Sequence, residues 1–311
     1  MRLYLSACFF SLVFLVKAQQ NLFPKETEIQ QRAAATIKLD GYPDFLAAAE
    51  DGVWVTNDGR VEKLIFGKST PIKTIKIPTP CGAMAVGYGS LWVASCREKS
   101  VYRVNINSGE ITEVIATGLA DTDGELSIAI GAGSVWLLTN KSGELSRIDP
   151  KTNKVVKRIS VLPNSFAAVF GFNSVWITNT EAGSVQRIDP IKEKVITTIS
   201  VGPTPRFLAV GSGAVWTLNQ GDGTVTRIDP VTNKLIITIA AEVAGSGGDI
   251  AAGVNKIYVR AKGTLLSVID PITNRVERRY GPPAGSGAVR VENGRVWVSA
   301  HDINTIWVLK E

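Results

Sequence analysis

At 311 residues the chain has room for one large domain or two ordinary ones. With 45% hydrophobic and 20% charged residues it holds enough apolar material for a full core, which excludes disorder of the whole chain. The formal charge of +6 comes from lysines and arginines scattered singly, with no basic run and no aromatic interleaving, so no clear nucleic-acid patch is visible.

In chain order, residues 1–18 read first, as a signal peptide. Arg2 supplies the positive start, and the run from Leu3 to Val16 is apolar apart from Tyr4, Ser6, Cys8 and Ser11. Val16-Lys17-Ala18 offers a small residue at the cut. A membrane anchor needs about 20 apolar residues, more than this run has. The mature chain is therefore expected to be exported, periplasmic or secreted, without a transmembrane segment. Cleavage would remove Arg2 and Lys17 and no acid, taking the charge from +6 to +4, and would leave Cys81 and Cys96 as the only thiols. Residues 19–32 are polar and read as a disordered lead-in.

From residue 33 to residue 311 one unit repeats. An apolar residue followed by Trp recurs at Trp54, Trp92, Trp136, Trp176, Trp216 and Trp297, and Tyr258 fills the one gap, at spacings of 38 to 44 residues. In the fifth unit, Phe207-Leu208-Ala209-Val210 turns at Gly211-Ser212-Gly213 into Val215-Trp216-Thr217-Leu218. Val225-Thr226-Arg227-Ile228 follows, then the turn Asp229-Pro230-Val231-Thr232-Asn233, then Lys234 to Ile239. These are four short strands rich in β-branched residues, separated by turn chemistry. The Asp-Pro turn recurs at Asp149, Asp189 and Asp270, where Pro presets one dihedral and the residue closing the turn must accept a left-handed backbone. Seven such units predict an all-β, seven-bladed β-propeller with four-stranded blades.

Closure and cross-linking follow from the same pattern. The last unit stops after its third strand, at Thr305 to Leu309, and the orphan strand Thr36-Ile37-Lys38-Leu39 resembles the fourth strands of the other units. The N-terminal strand should complete blade seven and remove an open edge. Counting back from the turn Gly87-Tyr88-Gly89-Ser90 sets Cys81 opposite Cys96. Opposed residues on antiparallel strands lie about 4.5–5.5 Å apart at Cα, within disulfide range, so these two should be bonded.

Trp54-Val55-Thr56-Asn57, Trp176-Ile177-Thr178-Asn179 and the run from Arg147 to Val155 resemble the YVTN-repeat propeller family, which includes exported bacterial propellers and streptogramin (virginiamycin) B lyase. For the lyase branch the resemblance implies magnesium-dependent opening of a cyclic depsipeptide by His and Glu on one face. The sequence departs there: His301 is its single histidine, and the Glu ending the lyase's Trp-Phe-Thr-Glu blades is missing.

No catalytic set of acid, base and nucleophile stands out. Asp121, Asp123 and Glu125 lie in the longest interblade loop and suggest an oxygen-rich site for calcium or magnesium, a solvated acidic loop being the alternative. The repeat is broken by charge in blades six and seven. Asp249 is expected opposite Arg260, Arg290 replaces the small residue facing the aromatic and could lie over Trp297, and His301 follows on the same face. Together with Arg206 and Asp44 these form the candidate binding set at the channel mouth. The expected function is a non-catalytic binding or scaffold propeller recognising a small molecule, protein or peptide there. The alternative is a metal-dependent lyase or lactone hydrolase.

Overall fold

A computed structural model describes residues 23–118, 125–139 and 141–311. Seven antiparallel sheets follow one another along the chain, each running outward strand by strand. In blade five the strands are Pro205–Gly211, Ala214–Asn219, Thr224–Asp229 and Lys234–Ala240, with Val210 opposite Val215 and Phe207 opposite Leu218. The fold is the expected seven-bladed β-propeller. Ala33–Lys38 pairs with Thr305–Lys310 as the outer strand of blade seven, so the N-terminal strand closes the ring.

The repeated aromatic sits between blades. All six Trp side chains of the repeat are fully buried, and Tyr258 nearly so. In blades two to five the indole N–H donates 3.0 Å to the carbonyl of a glycine at the end of the inner strand: Gly87, Gly131, Gly171 or Gly211. Those glycines have a second reason to lack a side chain. A Cβ on Gly131 would stand 2.0 Å from the Phe170 ring of blade four, and one on Gly211 2.4 Å from Ala252 of blade six. Blades approach so closely there that only glycine fits.

The Arg-Ile-Asp-Pro-x-Thr-Asn run has a structural meaning as well. Arg187 lies over Trp176, 4.8 Å from the ring centroid, and reaches into blade five to donate to the Pro230 carbonyl and Asn233 Oδ1, both at 2.7 Å. Arg103 and Arg227 repeat the arrangement on blades three and six. Asn153, Asn233 and Asn274 therefore do two things: they adopt positive φ and accept from the preceding blade's arginine. Blade four has Glu193 at this position, and Arg147 meets its carboxylate at 2.6 Å.

Residues 23–32 correct the disordered lead-in. Glu26–Glu28 adds a fifth strand to blade six, parallel to Arg275–Gly281, and Ile29 in the following turn is completely buried. The apolar Ile29 anchors an otherwise polar segment, because burying one such side chain is worth about 1.5–3 kcal/mol. Residues 1–18 lie outside the described residues. Among the described residues, no helix is long and apolar enough to cross a membrane.

Candidate functional site

Inner strands line the channel, and the wall is apolar: Met84, Ile130, Phe170, Val210 and Val291 border a space of about 310 Å³. At one end, where the inner strands begin, charged side chains gather. Asp44 comes from blade one, Glu125 from blade three, Arg206 from blade five, Asp249 from blade six, and Arg290 and His301 from blade seven. Phe45, Phe166 and Phe207 lie beneath them, Phe166 and Phe207 edge to face at 5.3 Å.

Blades six and seven are tied together here. Asp249 is opposite Arg260 in the strand register, as the sequence indicated, but the side chains take different partners. The Asp249 carboxylate is buried, accepts from the Ile250 and Val289 amides at 2.9 and 3.1 Å, and pairs with the Arg290 guanidinium. Burial pushes its pKa up, and Arg290 pulls against that shift. Arg290 is thus directed to Asp249, which corrects the expected stacking over Trp297, although the two residues are opposed in register.

Arg260 is fully buried and donates to backbone carbonyls: Ser299 at 3.1 Å, Ala284 at 3.4 Å, Gly285 at 2.8 Å, and its neighbour Ala261. Burial lowers its pKa to about 10, so it remains cationic at neutral pH. It pins blade six to blade seven, and its complete burial keeps it from a ligand at the mouth.

His301 stacks on Tyr42, with ring centroids 4.1 Å apart. Its Nδ1 lies 2.9 Å from Asp44 Oδ1 and its Nε2 3.1 Å from Asp302 Oδ1. With a carboxylate at each nitrogen, both contacts are hydrogen bonds only if both nitrogens donate.

Two mouth residues are left without such partners. Glu125 follows the undescribed residues 119–124, so Asp121 and Asp123 of the candidate metal loop lie outside the described residues. Its position is fixed by the next residue: the Leu126 carbonyl accepts from the Ala83 amide at 3.0 Å, and Gly82 approaches it so closely that a Cβ there would clash. Glu125 shares a cavity of about 220 Å³ with Tyr42, Asp44 and Cys81. Its Oε2 is shielded from solvent and has no hydrogen-bond partner among the described residues. Burial, and then the Asp44 charge, raise its pKa from 4.5 to about 7, while Arg206 and His301 act in the opposite direction. Arg206 lies over the Phe166 ring at 4.4 Å, and among the described residues its guanidinium makes no hydrogen bond or ion pair. The sequence concealed Glu125's place at the mouth, since only the long-range contact of Leu126 with blade two brings it there.

Glu125 makes stability depend on pH with a defined sign. Its native pKa of about 7 exceeds the ordinary 4.5, so between those values the folded state binds the proton more tightly. Stability therefore falls as pH rises through this window, by up to about 3 kcal/mol, and by less to the extent that the open mouth admits water. Glu125→Gln should remove this slope and exceed the wild type in stability at pH 8 but not at pH 4. Urea unfolding at the two pH values measures it, and identical slopes for both proteins would refute the burial of this carboxyl.

The expected disulfide is present: Cys81 and Cys96 are bonded, with Cα atoms 5.9 Å apart. The sequence separation is only 15 residues, so reduction should cost about 3 kcal/mol at most. A melting curve with and without reductant checks this. Because Cys81 borders the Glu125 cavity, reduction should also loosen that wall of the mouth.

Among the described residues, no three His, Cys, Asp or Glu side chains converge to hold a metal ion. No protein-family model and no curated protein matches the sequence. The fold is similar to a solved structure of streptogramin B lyase, with a TM-score of 0.76 and 17% sequence identity over 89% of this chain and 97% of that one. At that identity the likeness establishes the architecture alone: the chain is a seven-bladed β-propeller of the kind on which streptogramin B lyase is built.

Proposed function

We propose that the chain is an exported, non-catalytic binding propeller whose channel mouth takes a small zwitterionic ligand, such as an amino acid or short peptide. The observation that carries this reading is the pairing at the mouth. Asp249 is matched by Arg290 and Asp44 by His301, which among the described residues leaves the Glu125 carboxyl and the Arg206 guanidinium unmatched. A ligand ammonium suits Glu125 and a ligand carboxylate suits Arg206, while Phe166 and Phe207 offer an apolar bed. The disulfide and the leader-like N-terminus support export.

The fold likeness to streptogramin B lyase favours a second reading, a metal-dependent lyase or lactone hydrolase using His301. Thermal melting separates the two. Aromatic dipeptides should raise the melting temperature of the wild type and leave Arg206→Ala unmoved. A rise produced by magnesium or calcium alone, with no response to dipeptides, would favour the enzyme.

A further inference from the structure

We propose that the outer seam between blades six and seven is a second binding site, for a small polyanion carrying two or more phosphate or sulfate groups. The cleft lies on the propeller's rim. Its walls are the outer edge of blade six, the N-terminal segment that crosses from that edge to blade seven, and the closing strand Thr305–Lys310. Five cations line it, Lys25, Arg32, Arg278, Arg279 and Lys310, against the single carboxylate of Glu277. The formal surplus of the entire chain is +6, so one cleft gathers most of it.

Part of this charge is already engaged. Arg279 bonds Glu242 at 3.1 Å and Thr264 at 2.9 Å, and Arg278 takes Glu277 at 2.7 Å. Glu277 is also claimed by Lys256 at 2.7 Å, which weakens its hold on Arg278. Among the described residues, Lys25, Arg32 and Lys310 have no acidic partner. Like charges gathered this way repel one another, and a bound polyanion would relieve that repulsion. The arginines supply planar forks suited to phosphate or sulfate oxygens, and the lysines supply mobile point charges. The space is about 490 Å³, so a lone phosphate would leave most of it empty, and this favours an anion with several charged groups. The ligand would touch both sides of the seam and so favour the closed ring by mass action.

The test uses the full mature chain, titrated calorimetrically at constant ionic strength with tripolyphosphate, a disulfated disaccharide and inorganic phosphate. Tripolyphosphate or the disulfated sugar should bind at one per chain, at least tenfold more tightly than inorganic phosphate. Which of the two binds better identifies the carrier. Binding should slow trypsin cleavage after Lys25 and Arg32. Both Lys25→Ala with Arg32→Ala and the single Lys310→Ala, all at exposed positions, should weaken it about tenfold or more while dipeptide binding at the mouth is unchanged. No heat from either polyanion beyond a salt-matched control, or equal affinity in wild type and both variants, would overturn the proposal.

Discussion

Arg260→Ala should be among the most damaging single substitutions in the molecule, costing about 2–5 kcal/mol, the range found when a large side chain is truncated to Ala in a packed interior. The guanidinium is completely buried and serves carbonyls on two sides of the blade six–seven junction, at Ser299 and at Ala284 and Gly285. Removing it leaves a cavity and several buried acceptors unsatisfied, each with its own desolvation cost. Against a total stability of about 5–15 kcal/mol, the loss approaches the limit of folding. Arg260→Lys keeps the charge but not the fork, and should fall between wild type and Arg260→Ala. Equilibrium unfolding of the three proteins measures the series. A cost below about 1 kcal/mol for Arg260→Ala would mean that the blades are held together elsewhere.

Trimming the N-terminus should produce two distinct losses. Removing residues up to Arg32 deletes the strand Glu26–Glu28 and the buried Ile29, and should cost about 2–3 kcal/mol while the ring stays closed. Removing residues up to Lys38 also strips blade seven of its outer strand, including buried Ile37, and exposes the edge of Thr305–Lys310. An open edge of that kind pairs with other chains, so the second truncation should melt far lower and aggregate. Melting curves and light scattering of both proteins test this. Equal behaviour would show that the N-terminal strand is not what closes the ring.

The architecture was legible because it is written in local pattern. Hairpin register depends on turn length and a two-residue period, so Val210 opposite Val215 follows from counting. The same count brought Cys81 and Cys96 close enough to bond, although the register slips before them and sets Pro80 opposite Ser95. Ring closure was legible for a related reason: a missing fourth strand at one end matched an orphan strand at the other. The mouth was only half legible. Broken repeats flagged Asp249, Arg260, Arg290 and His301, but register gives which face a side chain occupies and not how far it reaches. Arg260 is long enough to pass Asp249 and spend itself on the next blade, and Arg290 takes the carboxylate instead. Glu125 gave no signal of its role, because its surroundings are Asp44, Arg206, Asp249 and His301, all distant in sequence. Glu26–Glu28 was concealed by its polarity: a strand added at an outer edge needs backbone pairing and one anchor, Ile29, and no alternating apolar pattern.

Proton release on binding decides whether Glu125 receives the ligand. If a ligand ammonium pairs with Glu125, the carboxyl whose pKa is raised to about 7 must ionise as the complex forms. Titration of the wild type with an aromatic dipeptide at pH 7, in two buffers of different ionisation enthalpy, should show about half a proton released per ligand bound. Glu125→Gln should show none. Binding with no proton released by the wild type, or with the same release from Glu125→Gln, would contradict the assignment of Glu125 as the group that receives the ligand.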